Sequence, residues 1–290
     1  MSGGESLLGL GVALGAAGCY EVSYAVQALE ARAVPGRAGP RASLLLDLAR
    51  RPRWAAAILL AVAGFGLQIG ALRLAPLTLV QPAIASGLLL LFYLGARVLN
   101  EPVGQRDIAA ALAIVGGVAG IAAAAPERTD SVSRPLALGM LMGGLVLIAL
   151  APYLWRSGRG ALLIASAGGA DIAAVFAAKL VSNALGQGRL LAAVGLAAGA
   201  GATVLVGLTS ESAALQRLPA TRVAPLVLVL QTAAPVLLAP LLLGEDWGAT
   251  ALGGAVIAVS LALVAAGGVT LASSGPVGEL LAPVDAVEHE

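Results

Sequence analysis

An apolar helix is predicted over Gly15-Ala-Ala-Gly-Cys-Tyr-Glu21-Val-Ser-Tyr-Ala-Val-Gln-Ala-Leu-Glu30, and a single carboxylate, Glu21, stands inside it. A carboxylate at membrane depth is costly to keep, so by default it faces a protein interior or a water-filled cavity and marks a substrate, ion or proton site. A stretch of the same plan follows about half a chain later, Ser166-Ala-Gly-Gly-Ala-Asp171-Ile-Ala-Ala-Val-Phe-Ala-Ala-Lys179. Asp171 there takes the place of Glu21, and the rest of the chain is organised around these two acids.

The composition is that of a membrane protein. Of the 290 residues, 59% are hydrophobic and 11% charged, and the mean hydropathy is +0.94. Long apolar runs without strict alternation predict helices, because only helices and closed barrels satisfy their backbone groups in lipid. The net charge of +1 gives no support to nucleic-acid binding. With Cys19 and His289 each alone of its kind, we expect no disulfide and no cofactor, and any metal would need oxygen ligands.

The pattern predicts an all-α polytopic protein with about nine transmembrane helices, each long enough for a hydrocarbon core of roughly 30 Å. The first is expected to be retained rather than cleaved as a signal peptide, because no Lys or Arg precedes its long apolar stretch. The predicted spans lie near 6–29, 54–73, 76–98, 107–125, 135–155, 160–185, 189–209, 220–243 and 248–272.

The arginines predict how the chain is oriented in the membrane. Twelve lie in or beside the loops after helices 1, 3, 5 and 7, six of them in the loop 30–53, and four lie in the other loops. The protein is expected in the plasma (inner) membrane. Because cytoplasmic loops carry the excess of Lys and Arg, the N-terminus is expected outside and the C-terminus in the cytoplasm. The segment 273–290 is predicted to be a flexible acidic tail.

Two motifs recur in the same order. Ala71-Leu-Arg-Leu-Ala-Pro-Leu-Thr-Leu-Val80, continuing to Leu99-Asn-Glu101-Pro-Val-Gly104, resembles Ala214-Leu-Gln-Arg-Leu-Pro-Ala-Thr-Arg-Val-Ala224, continuing to Leu243-Gly-Glu245-Asp-Trp-Gly248. Helices 1–4 therefore correspond to helices 6–9, and an offset of five helices inverts the second unit. The predicted parts are a first repeat (1–125), a linking helix 5 (126–158), a second, inverted repeat (159–272) and the tail.

Inverted repeats place a transport site near the midplane at the repeat interface. Glu21 lies about nine residues, and Asp171 about eleven, from the predicted cytoplasmic ends of their helices, so at 1.5 Å per residue both are roughly 13–18 Å deep. They are expected to share one central cavity. The functional hypothesis is a proton or cation relay, and the alternative is a pair of buried acids satisfied by a neighbouring Arg or hydroxyl.

The four-helix unit, with Gly18-Cys-Tyr-Glu21 in its first helix and Leu99-Asn-Glu101-Pro at the end of its third, resembles the drug/metabolite transporter superfamily. It is similar to two small multidrug resistance units fused through an inverting helix, as in the EamA-like branch, and its nine-helix layout with a long first loop resembles the NIPA-type magnesium transporters. The resemblance covers residues 6–272. It implies that Glu21, and Asp171 in the second copy, bind protons and a cationic substrate in competition.

Other polar and kinking residues in the spans are candidates for the pathway, with interhelical hydrogen bonding or simple packing as the alternative. These are Tyr20, Tyr24, Gln68, Gln81, Pro82, Asn183, Gln231 and Pro235. Glu101 and Glu245 at helix ends are expected to be structural or gating residues, and Lys179 to reach the outer interface. Glycine pairs four residues apart, such as Gly116/Gly120, predict close helix packing.

The leading interpretation is a secondary transporter that moves a small solute by alternating access, with proton coupling. One alternative is a Mg²⁺ carrier, in which Glu21 and Asp171 would be metal ligands. Another is a membrane scaffold that transports nothing. No nucleotide-binding loop and no nucleophile with a paired base is present, so we expect no enzyme activity. Lipid and a small solute or ion are the expected partners, and a fused repeat allows a monomer without deciding against a dimer.

Overall fold

A computed structural model of the chain describes residues 3–34, 41–75, 77–124, 135–155, 159–243 and 251–273. All regular structure in those ranges is helical. The helices are α1 (Gly3–Arg32), α2 (Ala42–Ala49), α3 (Pro52–Leu74), α4 (Leu77–Ala85), α5 (Gly87–Arg97), α6 (Gln105–Ala124), α7 (Pro135–Leu154), α8 (Gly160–Gly186), α9 (Leu190–Leu215), α10 (Ala220–Leu243) and α11 (Ala255–Ser273), with a short 3-10 helix, Ala251–Gly254, before α11.

Eight apolar stretches among the described residues are long enough to cross a membrane. They lie in α1, in α3, in α4 and α5 together, and in α6, α7, α9, α10 and α11. Helix α8 occupies the place of the sixth predicted span. It has 27 residues, about 40 Å at 1.5 Å per residue, and its segment Gly160–Ala174 is apolar. The chain is therefore an all-α, multi-pass membrane protein.

The ends of three helices differ from the prediction. Helix α1 is longer at both ends than 6–29. Helix α11 begins at Ala255 instead of near 248, because Leu252 and Gly254 take positive φ values of 55° and 82° and form a separate short turn. Helix α9 continues to Leu215, six residues beyond the predicted end. Its polar last turns stay helical because Thr209 and Ser210 satisfy their hydroxyl groups inside the bundle.

The third predicted span is interrupted, whereas the eighth is not. Pro82 has no N–H to donate within α4, and the chain leaves regular α-helix at Ser86, one turn later. Ser86 N donates to the Pro82 carbonyl at 2.9 Å, and Leu89 N donates to the Ser86 carbonyl at 3.0 Å, a tighter turn that restarts the helix as α5. Helix α10 runs through Pro235 without a break.

The basic loop between the first two spans contains the short helix α2. Leu44 and Leu48 point inward and are fully buried. Arg51, just after α2, forms an ion pair of 2.9 Å with Glu30 of α1 and donates to the Ala33 carbonyl at 2.7 Å. The loop is thus held against the end of α1 by both apolar and charged contacts.

The most extensive helix contacts are α1 with α3, α8 with α9, and α6 with α11. Helix α1 also packs on α5, as α8 packs on α10. On the outside of this bundle, large apolar side chains such as Leu191, Leu59 and Leu147 are exposed, as expected for a surface that meets lipid. The contact between α6 and α11 makes the fourth and ninth predicted spans neighbours, although they are far apart in the sequence.

The glycine pairs spaced by four residues are mostly wrong as predictors of close packing. A Cβ added at Gly11, Gly66, Gly116, Gly139, Gly143, Gly195 or Gly199 would meet nothing within 4 Å. Gly120 is the exception among the pairs, because an added Cβ there would be 3.1 Å from Ser260 Cβ of α11. Close approach also occurs at glycines outside the pairs. At Gly117 of α6, a Cβ would lie 2.6 Å from the Ser260 carbonyl oxygen of α11. The sequence spacing marks a shared helix face, but only the assembled bundle decides which face meets a neighbour.

Replacing Gly117 by Ala should destabilise the protein, because the added methyl group must push the α11 backbone away, and overpacking costs about 1–3 kcal/mol. The adjacent Gly116→Ala is the matched control, since its added methyl group meets open space. Thermal unfolding in detergent should show a lower midpoint for Gly117→Ala and an unchanged or higher one for Gly116→Ala. Equal midpoints would show that α6 and α11 do not pack as described.

Candidate central acidic site

Glu21 lies in the middle of α1, where the backbone of α5 comes directly against it. A Cβ built on Gly87 would be 3.0 Å from Glu21 Cγ and 3.1 Å from its Oε1. Protein surrounds the carboxyl group on nearly all sides, yet the side chain stays partly accessible. Among the described residues, no hydrogen bond or ion pair is made by Glu21. The glycine therefore leaves room for a carboxyl group that has no hydrogen-bonding or ionic partner in the described part of the chain.

Asp171 has an equivalent setting in α8. The α9 backbone passes beside it at Gly207, where an added Cβ would be 2.9 Å from Ala170 Cβ and 3.7 Å from Asp171 Oδ1. Its side chain is half-buried, and it takes part in none of the ion pairs of the described residues. Each of the two predicted acids thus lies beside a glycine of a neighbouring helix and keeps an accessible edge.

Tyr24 brings the acids into one neighbourhood. Its hydroxyl donates a hydrogen bond of 2.8 Å to Glu211 Oε1 of α9, 187 residues away in the chain. The same hydroxyl is close enough to Glu21 and Asp171 to interact with their charges. Tyr24 was a predicted pathway residue, and it is the group around which three carboxyl groups from α1, α8 and α9 are arranged.

Glu211 was missed by the sequence analysis. The seventh span was predicted to end near 209, so this glutamate fell in a loop. A signal was present in the repeated motif: counting back three residues from Ala71 and from Ala214 pairs Gln68 with Glu211. Gln68, which was a pathway candidate, accepts a hydrogen bond of 2.7 Å from Tyr20. Gln68 and Glu211 thus take matching positions before the repeated motif. The amide of Gln68 accepts a hydrogen bond from Tyr20, and the carboxylate of Glu211 accepts one from Tyr24, and both tyrosines lie on α1.

The remaining predicted pathway residues make no described contact with this group. Gln81 and Pro82 are half-buried in α4, and Gln231 is half-buried in α10. Asn183 is twelve residues beyond Asp171 in α8, about 18 Å along the helix. The side chains of Asn183, Pro235 and Lys179 lie outside the described residues, as does Glu245.

Three hydroxyl groups connect α7, α8 and α9 next to the site. Ser210, adjacent to Glu211, lies 2.8 Å from the Ser166 hydroxyl and 3.0 Å from the Tyr153 hydroxyl. Ser166 donates to the Ala149 carbonyl of α7, and both serines are fully buried. Hydroxyl groups in an apolar interior need such partners. This network holds the part of α9 that carries Glu211 at a defined depth in the bundle.

Glu101 joins the two predicted repeats at one end of the bundle. Asn100 has a φ of 54°, which Asn tolerates, and this turn lets Glu101 N donate to the Gly95 carbonyl at 2.9 Å. The Glu101 carboxylate then accepts hydrogen bonds from the backbone N–H groups of Ala220 and Thr221, at 2.7 and 2.9 Å, and from the Thr221 hydroxyl at 2.7 Å. It acts as a remote N-terminal cap of α10.

Arg32 at the end of α1 completes this contact. It forms an ion pair with Glu101 and donates to the Leu215 and Leu218 carbonyls, at 3.3 Å each. Beside it, buried Arg222 of α10 is 2.9 Å from Asp107 of α6. We call the contacts of Glu101, Arg32, Arg222 and Asp107 the end clamp. The clamp joins the chain segments after the first, third and seventh predicted spans. Those three loops therefore lie at the same end of the bundle, as their arginine content predicts.

Comparisons with known proteins add no relative. No protein-family model, no curated protein and no solved structure matches the chain. Among the described residues, no group of three or more His, Cys, Asp or Glu side chains is close enough to hold a metal ion. Each of the three carboxyl groups interacts electrostatically with Tyr24, and Asp171 also interacts with Glu211, but among the described residues the three do not form such a group.

Replacing Glu101 by Ala should destabilise the protein strongly. The change leaves the buried N–H groups of Ala220 and Thr221 without an acceptor, which costs about 1–3 kcal/mol each, and it removes the anion that pairs with Arg32. Arg50→Ala is the control, because this side chain is exposed and 4.0 Å from Asp47, and surface pairs contribute about 0–1 kcal/mol. Unfolding in detergent should rank the variants with Glu101→Ala far below Arg50→Ala, and similar losses would contradict the capping role of Glu101.

Proposed function

We propose that the protein is a secondary transporter that moves a small solute across the plasma membrane by alternating access, with proton coupling. The observation that carries the proposal is that Glu21 of α1 and Asp171 of α8 each lie beside a glycine of a neighbouring helix and both interact electrostatically with the Tyr24 hydroxyl. Both acids are partly accessible and unpaired among the described residues. Acids kept at such a depth without a counter-charge are typical of proton and substrate relays.

The inverted repeat that alternating access needs is part of this proposal. Helices α1, α3, α4 with α5, and α6 form the first unit, α7 is the link, and α8, α9, α10 and α11 form the second. Supporting it, equivalent helices make equivalent contacts: α1 packs on α3 and α5 as α8 packs on α9 and α10. Gly64 and Gly207, seven residues before the repeated motif in each unit, lie against the residues that precede Glu21 and Asp171. This is the register expected from a duplication.

In the proposed cycle, a proton and the solute compete for the central carboxyl groups. Rocking of the two units exposes the site to one side of the membrane at a time. The end clamp closes the end that the arginines predict to be cytoplasmic, so the present arrangement corresponds to the conformation closed on that side. Opening it requires Arg32 and Glu101 to separate from the α9–α10 connection. The N-terminus would then lie outside and the C-terminus in the cytoplasm.

Membership of the drug/metabolite transporter superfamily remains the family proposal, carried by Gly18-Cys-Tyr-Glu21 and Leu99-Asn-Glu101-Pro. Two other functions are to be separated from it by experiment. A Mg²⁺ carrier would use Glu21 and Asp171 as oxygen ligands. A scaffold without transport would need neither acid for its function. No enzyme activity is proposed.

The purified protein should be reconstituted in liposomes that contain one dye for pH and one for Mg²⁺, and candidate solutes or Mg²⁺ should be added with and without a pH gradient. We expect solute-driven proton movement that falls by about tenfold or more in the Glu21→Gln, Asp171→Asn double variant, as expected for loss of a general acid–base group. Both substitutions keep the shape of the side chain. Arg50→Ala, far from the site, should transport normally.

The outcomes separate the alternatives. Mg²⁺ entry that depends on the two acids would replace the proton-coupled hypothesis by the Mg²⁺ carrier. Absence of flux for every class of solute, together with unchanged behaviour of the double variant in the cell, would favour the scaffold. Solute flux that is insensitive to both substitutions would leave a transporter but remove the proposed site.

A further inference from the structure

Glu211 stands where the other half of the molecule has an amide. In the first unit, Tyr20 donates to Gln68 at 2.7 Å, and in the equivalent place Tyr24 donates to Glu211 at 2.8 Å. An amide oxygen can also accept this hydrogen bond. A glutamine at 211 would therefore be sufficient for structure, and it would avoid the cost of an ionisable group at membrane depth.

The surroundings of Glu211 do not neutralise it. The described groups that act on it are Tyr24 of α1, its only hydrogen-bond donor among the described residues, and the charge of Asp171 of α8. Glu21 of α1 acts electrostatically on Tyr24. None of the ion pairs among the described residues includes Glu211. Its side chain is half-buried, so part of it remains accessible. A carboxyl group in this position can exchange a proton with the site.

We propose that Glu211 is a third proton-binding residue of the central site, and that its hydrogen bond from Tyr24 couples its protonation to the contact between the two halves. The inference rests on the proposed transport function and extends it to a residue outside the two repeated acids. A hydrogen bond to a carboxylate is roughly twice as strong as one to a neutral acceptor. When a proton from the site binds a Glu211 oxygen, Tyr24 keeps its own proton, the bond becomes a neutral one, and α1 is held less firmly to α9.

Infrared difference spectra of the protein in lipid nanodiscs, recorded between mildly alkaline and acidic buffer, test proton binding directly. The carboxylic C=O signal that appears on acidification should lose a component in Glu211→Gln, and different components in Glu21→Gln and Asp171→Asn. Gln68→Ala removes an amide from the equivalent position and should leave every component in place. A Glu211→Gln spectrum identical to that of the unaltered protein would overturn the proposal.

A double-mutant cycle tests the coupling. Tyr24→Phe removes the donor, and Glu211→Gln keeps an acceptor while removing the charge. We expect the two changes to be coupled by about tenfold in the folding equilibrium at mildly alkaline pH, and not at acidic pH, where Glu211 is already neutral. The control cycle, Tyr20→Phe with Gln68→Ala, involves no ionisable acceptor and should give the same coupling at both pH values. Coupling between Tyr24 and Glu211 that does not change with pH would mean a purely structural hydrogen bond.

Two further results complete the design. If Glu211→Gln fails to fold, Glu211→Asp takes its place: it should retain a titrating signal but lose the pH-dependent coupling, because the shorter side chain does not reach Tyr24. Neither measurement needs a transported solute. If Glu211 binds a proton but no solute drives proton movement, the proposed transport function is wrong and Glu211 is still a proton-binding residue. If the protein transports a solute but Glu211 gives no infrared signal, the transport function stands and the role of Glu211 is wrong.

Discussion

The central constraint on this molecule is the free energy of placing carboxyl groups inside a hydrocarbon slab. Lipid offers no hydrogen bonds, so each acid in a span must meet protein or water. Glu211 meets this requirement through its hydrogen bond from Tyr24, and Glu21 and Asp171 meet it beside the backbones of neighbouring helices at Gly87 and Gly207. The glycines at 87 and 207 follow from the same constraint, since a side chain there would occupy the space beside the acids.

Helices α1 and α9 connect the central site with the end clamp. Tyr24 and Arg32 lie on α1, eight residues apart, or about 12 Å along the helix. Glu211 and Leu215 lie on α9, four residues apart, and each α1 residue contacts its α9 counterpart. The two halves are therefore joined at two levels by the same pair of helices, so a change at the central acids acts on the helices that the clamp holds. Coupling through packed helices with two arrangements is a physical route from proton binding to opening.

Charge has a different role at the end of the bundle. Glu101 has ample partners: two backbone N–H groups, a hydroxyl group and Arg32. A carboxylate satisfied in this way stabilises a single arrangement and has little capacity for a ligand. The central acids have few or no partners and remain accessible. The contrast between satisfied and unsatisfied carboxyl groups separates the structural acids of this chain from the candidate functional ones.

The sequence alone determined the class of fold and most helix positions, and it singled out Glu21 and Asp171 as candidates, because hydropathy and a lone charge in an apolar run are local properties. It also carried the pairing of Gln68 with Glu211, although the predicted end of the seventh span hid its meaning. Only the tertiary structure decided that α9 continues through Glu211, that Tyr24 reaches this residue, and that Gly117 rather than Gly116 meets a neighbouring helix. These depend on which helix faces lie opposite each other, and contacts between residues 187 positions apart leave no mark in a local pattern.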